Sequence, residues 1–180
     1  MFDKAIIFKG KHGAYARELA KGVQVLEHDV TIFKTNIELC LVAPIIGVLF
    51  NRRVKADKST GEDTKIMPET VIKYQEELSY IFKVVMLSAP DGTISNEKRM
   101  DRAFRYNYTD KAIADDKEVE QDKERAMEMF EEYTLGGIEL LHEKAYKNDA
   151  TRANYLENVY EFIRDFYNDV YNDDSEIRVI

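Results

Sequence analysis

Apolar side chains recur along this chain at spacings of three and four more often than at two, a pattern that predicts helices rather than strands. The clearest run lies near the C-terminus. Leu156, Val159, Tyr160, Ile163, Phe166, Tyr167 and Val170 form one stripe of a helix expected from about Arg152 to Tyr171. A longer pattern starts near Lys117 and carries Val119, Ala126, Met127, Phe130, Tyr133 and Leu135. Gly136-Gly137 interrupts it or joins it to residues 138–146. Each glycine inside a helix costs about 1 kcal/mol relative to alanine, so the pair marks a kink or a place where another helix comes close.

Upstream, Ile72, Leu78, Ile81, Phe82, Val85 and Met86 repeat at helical spacing as far as Leu87. Pro68 suits the first turn of that helix, with Glu69 beside its positive end. Ala89-Pro90-Asp91-Gly92 reads as a turn, and Ser95 as the cap of a helix that includes Met100, Ala103 and Phe104. Another helix is expected from about Thr31 to Val42, carrying Ile32, Phe33, Ile37, Leu39, Cys40 and Leu41. Pro44 disfavours helical geometry at Ala43, which predicts a break or kink there. Residues 14–21 read as helix with Gly22 as its stop, while residues 23–30 fit either class. Residues 5–8 form a short strand or enter a helix. The polar stretch 54–65 is expected to be an exposed loop, 107–118 irregular, and 172–180 a flexible acidic tail. The expected fold is therefore mainly all-α: a single helical domain over residues 1–180, a bundle of about six or seven helices, with room for a short N-terminal strand.

Composition narrows the class. A chain of 180 residues with 44% apolar types can bury a core and is not wholly disordered. One cysteine, Cys40, excludes an intrachain disulfide framework and a cysteine zinc site. It lies in the most apolar run, residues 37–50, which is shorter than the roughly 20 residues of a membrane span and is interrupted by Glu38, Pro44 and Gly47. Core is the expected place for that run. The first apolar stretch covers only residues 5–8, too short for a secretory signal, so a cytoplasmic location with no membrane contact is expected.

The net charge of −8 is unevenly spread. Residues 1–55 hold nine basic and five acidic residues, a balance of +4, and the remainder stands at −12. Such polarity suits docking to partners of opposite sign, and equally suits ordinary solvated helix faces. Two basic groupings stand out. Lys9-Gly10-Lys11-His12-Gly13 precedes a helix and offers backbone N–H groups to an anion, although its spacing is not that of a nucleotide-binding P-loop. Lys98, Arg102 and Arg105 share a helix face, with Arg99, Tyr106 and Tyr108 beside them, while Glu97 and Asp101 are placed to pair with those bases. Lys9, Lys11, His12, Arg17, Arg52, Arg53, Lys98, Arg102 and Arg105 make up the candidate anion- or nucleic-acid-binding set.

Catalytic chemistry finds little purchase. Glu139-x-x-His142 puts a carboxylate and an imidazole on one helix face, but di-iron bundles need two such motifs and two further carboxylates. No glutamate precedes His12 or His28 by three, so neither a metal nor a cofactor is expected, and His142 reads as a surface residue. Cys40 sits where a thiolate is disfavoured, and no Gly-x-Ser-x-Gly string exists. Asp115-Asp116 and Asp173-Asp174 lie in polar stretches with nothing to hold them at a working distance. Eleven Tyr and nine Phe with no Trp are more informative, because Tyr155, Phe162 and Tyr171 widen the apolar surface of the last helix beyond one stripe. They are candidates for a protein interface, against an aromatic-rich core.

Residues 8–15 (FKGKHGAY) and 43–53 (APIIGVLFNRR), with Gly136-Gly137-Ile138-Glu139, resemble pieces of small accessory proteins from bacterial DNA-modification or phage-defence gene clusters. The resemblance implies a bacterial cytoplasmic setting and a multi-protein system, and assigns no residue a role. The expected function is a non-enzymatic helical subunit or adaptor in a cytoplasmic assembly, with a protein partner and with homo-oligomers allowed. The alternatives are a nucleic-acid-binding accessory using the N-terminal basic residues, an acidic mimic of nucleic acid, and an enzyme with an unrecognised site.

Overall fold

The computed structural model describes residues 1–21, 23–25, 28–57, 59, 63–106, 117–147 and 152–171. The expectations for Tyr108, for Asp115-Asp116 and for the tail 172–180 lie outside these, as do the side chains of Val170 and Tyr171. The architecture is a mainly α-helical bundle with two short antiparallel strand pairs. In chain order it runs β1 (Ile6–Phe8), α1 (Gly10–Lys21), β2 (Val23–Val25), β3 (His28–Val30), α2 (Asn36–Leu49), β4 (Thr64–Ile66), α3 (Pro68–Lys73), α4 (Gln75–Ser88) and α5 (Asn96–Met100). A π-helical turn (Asp101–Arg105) follows, then α6 (Lys117–Ala145) and α7 (Arg152–Tyr171). The short N-terminal strand is real: β1 pairs with β4, Ile6 opposite Ile66 and Phe8 opposite Thr64. Within the ambiguous stretch 23–30, β2 and β3 pair antiparallel, with Val23 opposite Val30.

Local chemistry accounts for most boundaries. Thr35 caps α2 by accepting the Glu38 N–H, and the Glu38 carboxylate accepts the Lys34 N–H in return. Pro68 opens α3, and Ser95 caps α5 by accepting the Lys98 N–H at 3.2 Å. α6 and α7 fill the two long periodic patterns, and α6 continues through Gly136-Gly137 without a break.

Four expectations are corrected. The helix placed at 31–42 starts at Asn36 and runs through Pro44 to Leu49. Pro44 removes the N–H that would reach the Cys40 carbonyl. The helix persists because its Ile37, Leu39, Cys40, Ala43 and Val48 are buried in the core, and that packing outweighs one lost bond. The helix expected over 68–87 is divided at Tyr74, so Ile72 is exposed and Val71 takes the core position. Thr64 and Lys65, placed in the polar loop, belong to β4, where the buried Thr64 hydroxyl donates to the Gly13 carbonyl at 2.7 Å. The α7 stripe is split: its Leu156, Tyr160, Ile163 and Tyr167 are exposed, while its Val159 and Phe166 turn inward beside Phe162 and the buried Tyr155.

The core centres on the crossing of α2 and α6. A side chain added at Gly47 would collide with the Tyr133 carbonyl, one at Gly136 with the Arg52 carbonyl, and one at Gly137 with the Ala43 carbonyl. The two helices therefore touch backbone to backbone. Around them pack Phe2, Phe82 and Phe130, whose rings lie 5.5–6.3 Å apart.

Candidate functional site

The α2–α6 crossing sets up a charged centre on its α1 side. α2 ends in a Schellman motif: Asn51 takes a left-handed φ of 46°, the Arg52 N–H donates to Gly47 O at 2.7 Å, and the Asn51 N–H donates to Val48 O at 3.0 Å. This reversal presses the Arg52 backbone onto Gly136 and aims its guanidinium along α6. There it donates to Glu139 at 3.2 Å and forms a two-pronged pair with Glu143, one turn further on. From the other side, the start of α1 brings Lys11 Nζ to 2.6 Å and His12 Nε2 to 3.0 Å from the same Glu139 oxygen. The three blocks singled out in the sequence thus meet at one buried carboxylate.

The electrostatics follow from that packing. Burial alone would push the Glu139 carboxyl up, but hydrogen bonds from Lys11 and Arg52 outweigh it and hold it below the usual carboxylate range. For His12 the balance is reversed. Burial lowers its pKa from 6.5 despite the carboxylate alongside, so the neutral ring donates from Nε2 to Glu139. Its Nδ1 is buried with no hydrogen-bond partner. The ring has no exposed edge, and proton transfer to a substrate needs one, so the pair reads as a fastening rather than a general base. Asp57 completes the centre by accepting the Lys11 backbone N–H, the Ser59 N–H and the Ser59 hydroxyl, which pull it down to about 2. The anion expected at the start of α1 is the protein's own.

His142 is not a free surface histidine. Its ring stacks at 3.9 Å on Tyr15 and at 4.7 Å on Tyr146, and its Nε2 lies 2.5 Å from Glu18. Glu139 and His142 therefore share a face, as their spacing requires, and both use it to hold α1. Among the described residues no three His, Cys, Asp or Glu side chains are grouped to hold a metal ion.

Most of the remaining basic candidates are also turned inward or paired. Arg53 donates to Glu132 at 2.5 and 2.9 Å and lies 5.5 Å from the Tyr133 ring. Arg102 is buried and grips Asp122 at 2.5 and 3.0 Å, joined there by Lys98 at 3.2 Å and the Tyr106 hydroxyl at 3.2 Å. Arg105 pairs with Asp101 at 2.7 Å, the interleaved acid on its own helix face. Arg99 donates to the Ala89 and Asp91 carbonyls at 2.7 Å, closing the turn after α4. Arg17 is half-buried with contacts of its own, and Lys9 is exposed. Seven of the nine candidates divide between two separate carboxylate centres, Glu139 and Asp122, and surface pairs; they do not build one cationic face. Spacing did not reveal this, because the carboxylates lie on α6 and the bases elsewhere.

Cys40 is buried, and burial pushes its thiol up to about 12. The interface candidates fare differently again. Tyr155 is core, and Phe162 packs on Phe50 with ring centres 5.9 Å apart, so both face the body of the protein. The large apolar residues that α7 leaves to solvent, among those described, are Leu156, Tyr160, Ile163 and Tyr167.

The fold and these centres define a helical protein whose buried charges are matched by internal partners. No helix among the described residues is long and apolar enough to cross a membrane. Compared with protein families, curated proteins and solved structures, this chain matches none.

Proposed function

We propose that this protein is a non-enzymatic helical subunit of a multi-protein assembly, docking through the outer face of α7. The carrying observation is the line Leu156, Tyr160, Ile163 and Tyr167, exposed to 42, 65, 61 and 56%. Single exposed apolar side chains are ordinary, but four in one line make a patch of the kind that marks an interaction site. Nucleic-acid binding has less support, because six of its nine candidate side chains are ion-paired to the protein's own carboxylates and a seventh, His12, is hydrogen-bonded to Glu139. Phosphate contacts there would first have to break those pairs. A bacterial phage-defence setting rests on the resemblance of the three blocks alone.

The test is purification of the tagged chain from its native cells beside a Tyr160→Glu variant, each with and without nuclease. Partners that co-purify stoichiometrically with the wild type and are lost from the variant support the reading. Partners that persist in the variant place the docking surface elsewhere. Partners that vanish with nuclease in both reject it in favour of a nucleic-acid accessory.

A further inference from the structure

We propose that the partner of the α7 face is a second copy of this chain, with the two α7 helices packed antiparallel. This deepens the subunit reading and rests on it. α7 carries two apolar seams. The inner one, Tyr155, Val159, Phe162 and Phe166, faces the bundle. The outer one follows it by a single residue, a rotation of about 100°. Its spacings of four, three and four are those of a coiled-coil seam, which winds helices about each other. A helix that only covers its own core needs one seam.

The charges beside the outer seam select the occupant. Glu157 follows Leu156, and Arg164 follows Ile163, so both flank the seam on one side. A two-fold axis between Tyr160 and Ile163 places Tyr160 against the partner's Ile163 and Leu156 against the partner's Tyr167. The same axis brings Glu157 beside the partner's Arg164, and does so twice. Self-complementarity of this kind is what an isologous interface requires, and opposite charges at flanking positions set helix orientation. Arg164 bonds its neighbour Asp165, at 3.1 and 3.3 Å, and lies 5.9 Å from the Tyr160 ring. Such an exposed pair contributes little and is readily exchanged.

The seam from Leu156 to Tyr167 is about 16 Å long, short for a stable contact by itself. It adjoins an apolar groove of about 230 Å³ between α7 and α2, walled by Val42, Ile46, Phe162 and Ile163. Val42, Leu49 and Phe50 on that side of α2 are exposed as well. Together they extend the surface toward the roughly 1,000 Å² that specific interfaces exceed.

Sedimentation equilibrium of the full chain over micromolar to hundreds of micromolar concentrations tests this. The expected result is a dimer of twice the 21.0 kDa chain mass. Ile163→Glu should return it to monomer with unchanged circular dichroism. Glu157→Arg alone and Arg164→Glu alone should each weaken the dimer about tenfold or more, and the double exchange should restore it. A wild-type monomer at every concentration overturns the inference, as does a dimer indifferent to Ile163→Glu. If the chain is monomeric yet Tyr160→Glu still releases native partners, the subunit reading survives with a different protein on α7. If neither experiment responds, both fail.

Discussion

The α2–α6 crossing and the outer face of α7 solve opposite problems. At the crossing, the chain has removed side chains at Gly47, Gly136 and Gly137 so that two backbones touch, and the charges drawn in beside them all converge on Glu139. On α7 the chain has placed large apolar side chains that its own fold leaves 42–65% exposed. The first region is closed on itself; the second is left exposed. The difference teaches that basic residues near apolar motifs can be committed to internal pairs, while large apolar side chains on α7 stay in contact with solvent. Buried charges must be paired to be tolerated at all, so their presence is explained by folding.

The crossing is the place to strike hardest. Gly137→Leu drives a branched side chain into the Ala43 carbonyl, which cannot give way without moving α2. Overpacking against backbone should cost about 3 kcal/mol or more, read as loss of a cooperative unfolding transition in urea. A second, smaller blow falls on the charged centre. Glu139→Gln keeps the shape but leaves Lys11 and Arg52 facing a neutral amide. The loss should be about 2 kcal/mol, below the 3–5 expected for a fully buried pair, because both cations retain access to water. Tertiary unfolding monitored by tyrosine fluorescence measures it. A loss below about 0.5 kcal/mol would reduce the centre to a surface ion pair.

Acid should separate the two regions more gently. The folded-state pKa of His12 lies below its ordinary 6.5, and those of Glu139 and Asp122 below their ordinary carboxylate values. For groups lowered in this way the unfolded chain binds protons first, so stability is full above the unfolded pKa and falls with pH through the folded one. Urea midpoints should therefore hold steady above about pH 6.5, decline as His12 is forced to charge, and fall again in the carboxylate range. His12→Gln should flatten the upper limb and leave the lower one. An unchanged upper limb would show that His12 is not buried neutral.

How far this was legible in the sequence differs between the same two regions. The helices were readable wherever periodicity was long or a cap was explicit, as at Ser95, Pro68 and the span of α7. Gly136-Gly137 also pointed to a close helix approach, though not to α2 as the neighbour. The seam choice on α7 was not readable: two apolar seams one residue apart share the 3.6-residue period, and periodicity cannot say which one the fold covers. Glu139 was visible only as half of a metal motif. Its bases come from α1 and from the cap of α2, and nothing local in the sequence announces contacts between such distant segments. Pro44 misled for a related reason, since the local preference to break at Ala43 gives way to burial on α6 and α4.

The smallest expected effect is the most discriminating. Tyr160→Ser removes a ring of the outer seam that is 65% exposed. In dilute solution, below any association, its unfolding free energy should stay within about 0.5 kcal/mol of wild type. Tyr155→Ala, five residues back on the same helix, deletes a fully buried ring that packs 5.3 Å from Tyr146 and should cost about 3–5 kcal/mol. Raising the protein concentration should then stabilise the wild type but not Tyr160→Ser, because association adds stability by mass action only where the seam can pair. If Tyr160→Ser destabilises the dilute chain as Tyr155→Ala does, the outer seam is part of this fold's own core and the contrast between the two regions disappears.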